Sequence, residues 1–246
     1  MAIIARRQAP QDARHLPKRG GDTTPGPPTE LPYQRRGTTP QMRGRYPDYD
    51  VLATTEHWDP LTRRVVLERV GSVPEVRFFD AAEARTLRAF CDVVMGQDSD
   101  PRIPVLELVD AKLHAGRLDG FRYHDMPADP ETWRQVAANL DATARQRGCE
   151  AGFSSASSEL QHEIVERFAR GELDWELPVE KAWTVVMRAV LAAFYSHPWA
   201  WNEIGFGGPA YPRGFARLGA GQREHWEASP EFALDAAADV NQRGLE

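Results

Sequence analysis

The chain has 246 residues, 41% of them hydrophobic, a formal net charge of -6 and a mean hydropathy of -0.53. That is enough for one good-sized domain with a tail, and no run approaches the ~18 apolar residues of a membrane helix, so direct membrane insertion is not expected. Nine Lys/Arg against five Asp/Glu make residues 1–50 net +4 and leave -10 for the remainder, an acidic body that argues against nucleic acid as a partner.

Residues 1–45 hold seven of the 19 prolines and almost no apolar cluster. Such a stretch buries too little surface to offset its ordering entropy, so a disordered, basic, Pro-rich tail is expected ahead of a helical domain over 46–246. Arg6 and Arg7 invite comparison with a twin-arginine export signal, but the apolar segment that such a signal needs does not follow. The expectation is a cytoplasmic chain, or one exported only together with a partner. Residues 45–57 add aromatic and apolar side chains and read as an extended arm docked on the body.

Regular structure begins at Asp59 and Pro60, a cap followed by a residue suited to the first helical position, predicting a short helix to about residue 70. Its inward residues are expected to be Leu61, Val65 and Val66 or Leu67. Asp80 with Glu83 three later resembles a capping box, opening a helix with Leu87, Phe90, Cys91 and Val94 at helical spacing. Further helices are predicted over 104–116, 130–147, 157–169 and 178–197, and a last short one over 230–240. The 178–197 segment has the widest apolar stripe and is expected at the centre. No convincing alternating strand is present; residues 75–79 come nearest. The fold class expected is all-α, with six or seven helices.

Residues 194–218 read FYSHPWAWNEIGFGGPAYPRGFARL. Gly205, Gly207, Gly208, Pro209, Pro212 and Gly214 are too close together for a regular helix or strand, and Trp199, Trp201, Phe206 and Tyr211 carry apolar surface that needs cover. An ordered loop is expected, with Trp201 and Phe206 inward and Trp199 and Tyr211 toward a partner. The alternative is a stiff loop that only seals the core.

Chemistry-bearing motifs are sparse. The glycines at 205, 207 and 208 lack the third glycine of a dinucleotide fingerprint, and no P-loop, GxSxG or HExxH is present. Cys91 and Cys149, 58 residues apart, form no disulfide framework, zinc pattern or haem site; buried free thiols are expected. His162 and Glu166 share a helix face at a spacing that a metal can use, with no second pair to support them. His197 is expected to cap the carbonyls at the end of the 178–197 helix, and Glu203 and Arg213 to pair across the loop or either of them to face a partner. No catalytic, cofactor-binding or metal residue is assigned; a stand-alone enzyme or metal protein using His197 and Glu203 is the rival reading, and a self-contained helical interaction domain a third.

One resemblance carries further. The residues Tyr195, His197, Pro198, Trp201, Ile204, Gly205, Phe206, Gly208, Pro209, Ala210, Gly214 and Leu218 resemble the C-terminal signature of the gluconate 2-dehydrogenase subunit 3 family. Phe78 to Glu83 is similar to the family's usual start, and Tyr46 to Leu52 with His57, Trp58 and Asp59 to the arm of members of this length, so the resemblance spans residues 46–223. It implies an accessory, non-catalytic small subunit whose partner is a large FAD-binding dehydrogenase subunit acting on sugars or sugar acids, with FAD in the partner and no cofactor in this chain. The partner interface is expected on the 194–218 loop, at Tyr195, His197, Trp199, Trp201, Glu203, Phe206, Gly208, Pro209, Tyr211 and Arg213.

Overall fold

The computed structural model describes residues 46, 49–118, 120–217 and 224–228; the expected tail over 1–45 and the expected helix over 230–240 lie outside them. The described residues form seven α-helices and two short 3-10 helices, with no strand among them.

Helix α1 (Pro60–Gly71) starts as its sequence dictates: Asp59 accepts from the amides of Leu61 and Thr62, and Pro60 needs no partner at the first position. Its inward stripe is Val66 and Val70, while Leu61 is 60% and Val65 38% exposed. The expectation for Leu61 and Val65 is corrected. Both pairs are spaced by four, so spacing alone does not say which stripe meets the body.

Helix α2 (Ala81–Val94) opens on a complete capping box between Asp80 and Glu83 and buries Ala84, Leu87, Phe90 and Cys91. Burial pushes the Cys91 thiol well above its ordinary range, so it is an inert core side chain; the Cys149 thiol, half-buried, donates to the Gly152 carbonyl. Helices α3 (Val105–His114), α4 (Asp129–Gln146) and α5 (Ser158–Ala169) follow. Trp133, Val136, Leu140 and Ala144 of α4 are all at most 1% exposed, as a stripe at helical spacing requires.

Helix α6 (Val179–Tyr195) packs on α3, α4 and α5, and α2 packs on the same three, so the centre is shared between α2 and α6. Between them Phe168 meets Phe90, Trp175 and Trp183 with ring centroids 6.0, 4.6 and 5.1 Å apart. Residues 75–79, the nearest approach to a strand in the sequence, are held instead by one buried carboxylate. Asp110 of α3, fully buried, accepts from the amides of Arg77, Phe78 and Phe79 at 2.8, 2.9 and 2.9 Å. A segment with no ladder thus finds its backbone partners on a side chain.

The helix predicted over 178–197 ends at Tyr195, and a short helix α7 (Pro198–Ile204), not anticipated, follows it. Pro198 explains the break: it disfavours helical geometry at His197, which is extended (φ -92°, ψ 136°), and then serves as the first residue of α7. Arg69 of α1 donates to the Ser196 carbonyl at 2.8 Å, tying α1 to this corner. No described helix is long and apolar enough to cross a membrane.

Candidate partner interface

Three pieces of chain meet at the α7 end of the molecule: an arm (residues 49–58), the loop that follows α7 (205–217), and a terminal segment (224–228). In the arm, Asp50 caps a 3-10 helix (Val51–His57) by accepting from the Leu52 amide. The expected docking of the arm is seen, in a tight helical turn rather than an extended form. Its first buried residue, Val51, donates its amide to Asn202 Oδ1 of α7 at 2.8 Å.

The loop glycines make room for rings. Gly205 ends α7 in the left-handed region (φ 69°), and a methyl there would sit 2.6 Å from the Tyr46 ring. Gly208 is also left-handed (φ 78°), and a methyl there would meet Trp58 Cζ2 at 2.8 Å and Val51 Cγ2 at 3.0 Å. The Trp226 ring lies over Gly207. These glycines are filled by aromatic side chains and leave no cradle for a phosphate.

Polar contacts complete the assembly. Arg213 donates through Nη2 to the carbonyls of Gly207 and Pro209 at 2.7 and 3.1 Å, and its guanidinium stacks 4.4 Å from the centroid of Trp226. Burial lowers its pKa from the ordinary arginine value. The expected Glu203–Arg213 pair is therefore corrected: the guanidinium is committed to loop carbonyls. The Tyr49 hydroxyl lies 3.0 Å from the Trp226 carbonyl and 3.4 Å from that of Phe206, and burial pushes the phenol up to about 12, which keeps it a donor. Glu224 Oε1 accepts from the amides of Ala216 and Arg217, and these bonds hold its carboxyl below the usual range.

The residues singled out from the sequence divide by burial. Trp201 is 6% exposed, as expected, and donates its Nε1 to the Tyr195 carbonyl at 2.7 Å. Trp199 is 4% exposed and Phe206 is 42% exposed, so the two expected orientations are exchanged. Trp199 lies on a helix whose residues from Pro198 to Glu203 are all buried, whereas Phe206 follows the left-handed Gly205 and leaves the helix axis, edge-on to Trp201 at 5.5 Å. Tyr211 is 62% exposed, as expected, and Tyr195 42%. Gly208 is buried, and Pro209 and Arg213 are half-buried.

His197 and Glu203, at 1% and 2% exposure, do not reach solvent. The His197 side chain accepts from the Trp199 amide at 3.2 Å, so it caps the start of α7 rather than the end of α6. Neither residue is placed to meet a substrate or a partner directly. Their inclusion in the interface is corrected to a supporting role, and the rival enzyme reading loses its two candidates. His162 Nδ1 lies 2.7 Å from the Ser158 carbonyl and Glu166 bonds to Arg170, so each is engaged on its own helix. Among the described residues, no three His, Cys, Asp or Glu gather as metal ligands would.

Sequence reasoning missed Phe215, 47% exposed, and the parts played by Tyr49, Asn202 and Glu224. Phe215 stands in the quoted loop and could have been added on its apolar surface alone. Nothing in spacing links Val51 to Asn202, 151 residues away.

The family model described as gluconate 2-dehydrogenase subunit 3 matches residues 81–208, from the first residue of α2 to Gly208. This is narrower at both ends than the resemblance read over 46–223. No curated protein and no solved structure matches the chain.

Proposed function

The chain belongs to the gluconate 2-dehydrogenase subunit 3 family, and on that premise we propose that it is the non-catalytic accessory subunit of an FAD-dependent dehydrogenase that oxidises a sugar or sugar acid. The flavin and the chemistry belong to the large subunit, and this chain supports that subunit by docking on it. The observation that carries the reading is the exposure of Phe206, Tyr211 and Phe215 on a loop whose backbone is pinned from beneath. Rigid aromatics on a fixed backbone lose little entropy on binding and are typical anchors of an interface. A stable complex of ordinary size buries ~1,600 Å² in total, so the exposed Tyr195 and the half-buried Pro209 beside these rings are assigned to the contact as well.

The test is paired. The chain is co-expressed with a large flavoprotein subunit, and capture and thermal melting are followed for Phe206→Ala and Tyr211→Ala. Capture is expected to weaken by about 2 kcal/mol or more at one or both positions, with melting of the isolated chain unchanged. Capture that weakens only where the isolated chain also melts earlier, by a matching amount, overturns the reading. So does sugar oxidation by the isolated chain.

A further inference from the structure

Among the described residues, Tyr46, Tyr49, Val51, Trp58, Arg213, Trp226 and Glu227 press on or bond to residues 205–208 from outside α7, and all seven lie outside the matched span 81–208. The arm's helical turn packs on α7, the element that ends in Gly205. We propose that residues 49–58 are a strap: its docking on α7 sets the backbone of the 205–214 loop, and its release lets the loop open while α2 to α6 stay folded.

Two features give the strap its grip. The Val51 amide is buried and has its partner in Asn202 Oδ1, so the arm is registered on α7 by a directional bond rather than by apolar contact alone. Tyr49 reaches past α7 to the carbonyls of Phe206 and Trp226, joining the loop to the terminal segment through one hydroxyl.

A third feature makes the strap releasable. Buried side-chain donors with no hydrogen-bond partner include Trp58 Nε1, Asn202 Nδ2, Trp226 Nε1 and Nε and Nη1 of Arg213, all of them at this seam; no such atom is found on α2, α3, α4 or α5. Opening the seam returns those five donors to water, whereas in the bundle the comparable atom is Nε of Arg188 on α6, whose Nη2 lies 3.7 Å from Asp129 Oδ2. A unit closed at that cost belongs to the low end of local stability, where segments open without global unfolding.

Only the consequence for partner capture rests on the accessory-subunit reading above; the strap itself does not. In the full chain, Asn202→Ala removes the acceptor of the Val51 amide, and Tyr49→Phe removes one hydroxyl while keeping the ring. Amide hydrogen exchange is read on peptides over 205–217 and, as an internal reference, over 129–146 in α4. The loop peptides are expected to exchange about tenfold faster in Asn202→Ala and severalfold faster in Tyr49→Phe, with the α4 peptides unchanged. Loop exchange unchanged in both variants overturns the strap, as does α4 exchange rising by the same factor. Capture of the large flavoprotein subunit is then measured with the same variants. A faster loop with full capture upholds the strap and overturns its part in partner binding. A faster loop in a chain whose wild type captures no flavoprotein upholds the strap and overturns the accessory-subunit reading instead.

Discussion

In the bundle of α2 to α6, buried apolar side chains meet other side chains: Phe168 touches Phe90, Trp175 and Trp183, and Trp133 lies 6.1 Å from Phe79. In the end cap built from the arm, α7 and the loop, buried side chains meet backbone. Rings cover glycines, and Asn202, Arg213, Tyr49 and Glu224 bond to main-chain groups. The first arrangement tolerates small repacking because methyl groups adjust to one another. The second depends on direction and on the absence of side chains at particular positions. The bundle therefore sets whether the molecule folds, and the end cap sets what it displays.

The largest effect should come from the bundle. Trp133→Ala leaves a hole at a site only 1% exposed and is expected to cost about 3–5 kcal/mol, lowering the whole melting transition. A loss below ~1 kcal/mol would mean that the buried stripe of α4 is not part of the core that holds the bundle together. Gly208→Ala comes next, at about 1–3 kcal/mol, because it strains a left-handed residue and drives a methyl onto Trp58. Proteolysis of the loop should report it more strongly than melting does; equal effects on both would erase the distinction between the two regions.

Phe215→Ser sharpens the comparison from the other side. Its ring is 47% exposed, so stability should move by no more than about 0.5 kcal/mol, measured by urea unfolding, while any contact through that ring is lost. The smallest effect concerns pH. The Glu224 carboxyl titrates below its unfolded value because the amides of Arg217 and Ala216 bond to its charged form. Its contribution is thus fully present above the unfolded carboxylate value of about 4.3 and fades as pH falls through the lower folded one. Hydrogen-exchange protection near residues 216–217, taken relative to the intrinsic rate at each pH, should fall in that acid range before that of α4 does. Simultaneous loosening of both would remove Glu224 from the account.

Much of the bundle was legible because its signals are local. Asp59 with Pro60 and Asp80 with Glu83 place helix starts by chemistry within four residues, and the α4 stripe repeats at helical spacing. The end cap was legible as an ordered, aromatic loop but not in its orientations. Pro198 was read only as part of a turn-rich stretch, yet it starts a helix. Every residue of that helix from Pro198 to Glu203 is buried, so no alternation distinguished an inward Trp199 from an outward one. The outward turn of Phe206 comes from the left-handed Gly205 before it. What fixes that corner is Tyr46, 159 positions earlier, which no spacing rule reaches.

The Asp110 carboxylate has one more consequence. Its Oδ2 accepts from Phe78 and Phe79 and its Oδ1 from Arg77, so three consecutive amides converge on one anion. Asparagine has the same outline but only one acceptor atom, and whichever way its amide is turned, an NH₂ confronts at least one of those N–H groups. The demand is for a symmetric acceptor, which among uncharged side chains of this size does not exist. Residues 77–79 lead into α2, and their partner is 31 to 33 positions downstream, so the entrance to the first bundle helix draws its backbone partners from the second and is complete only where the two meet.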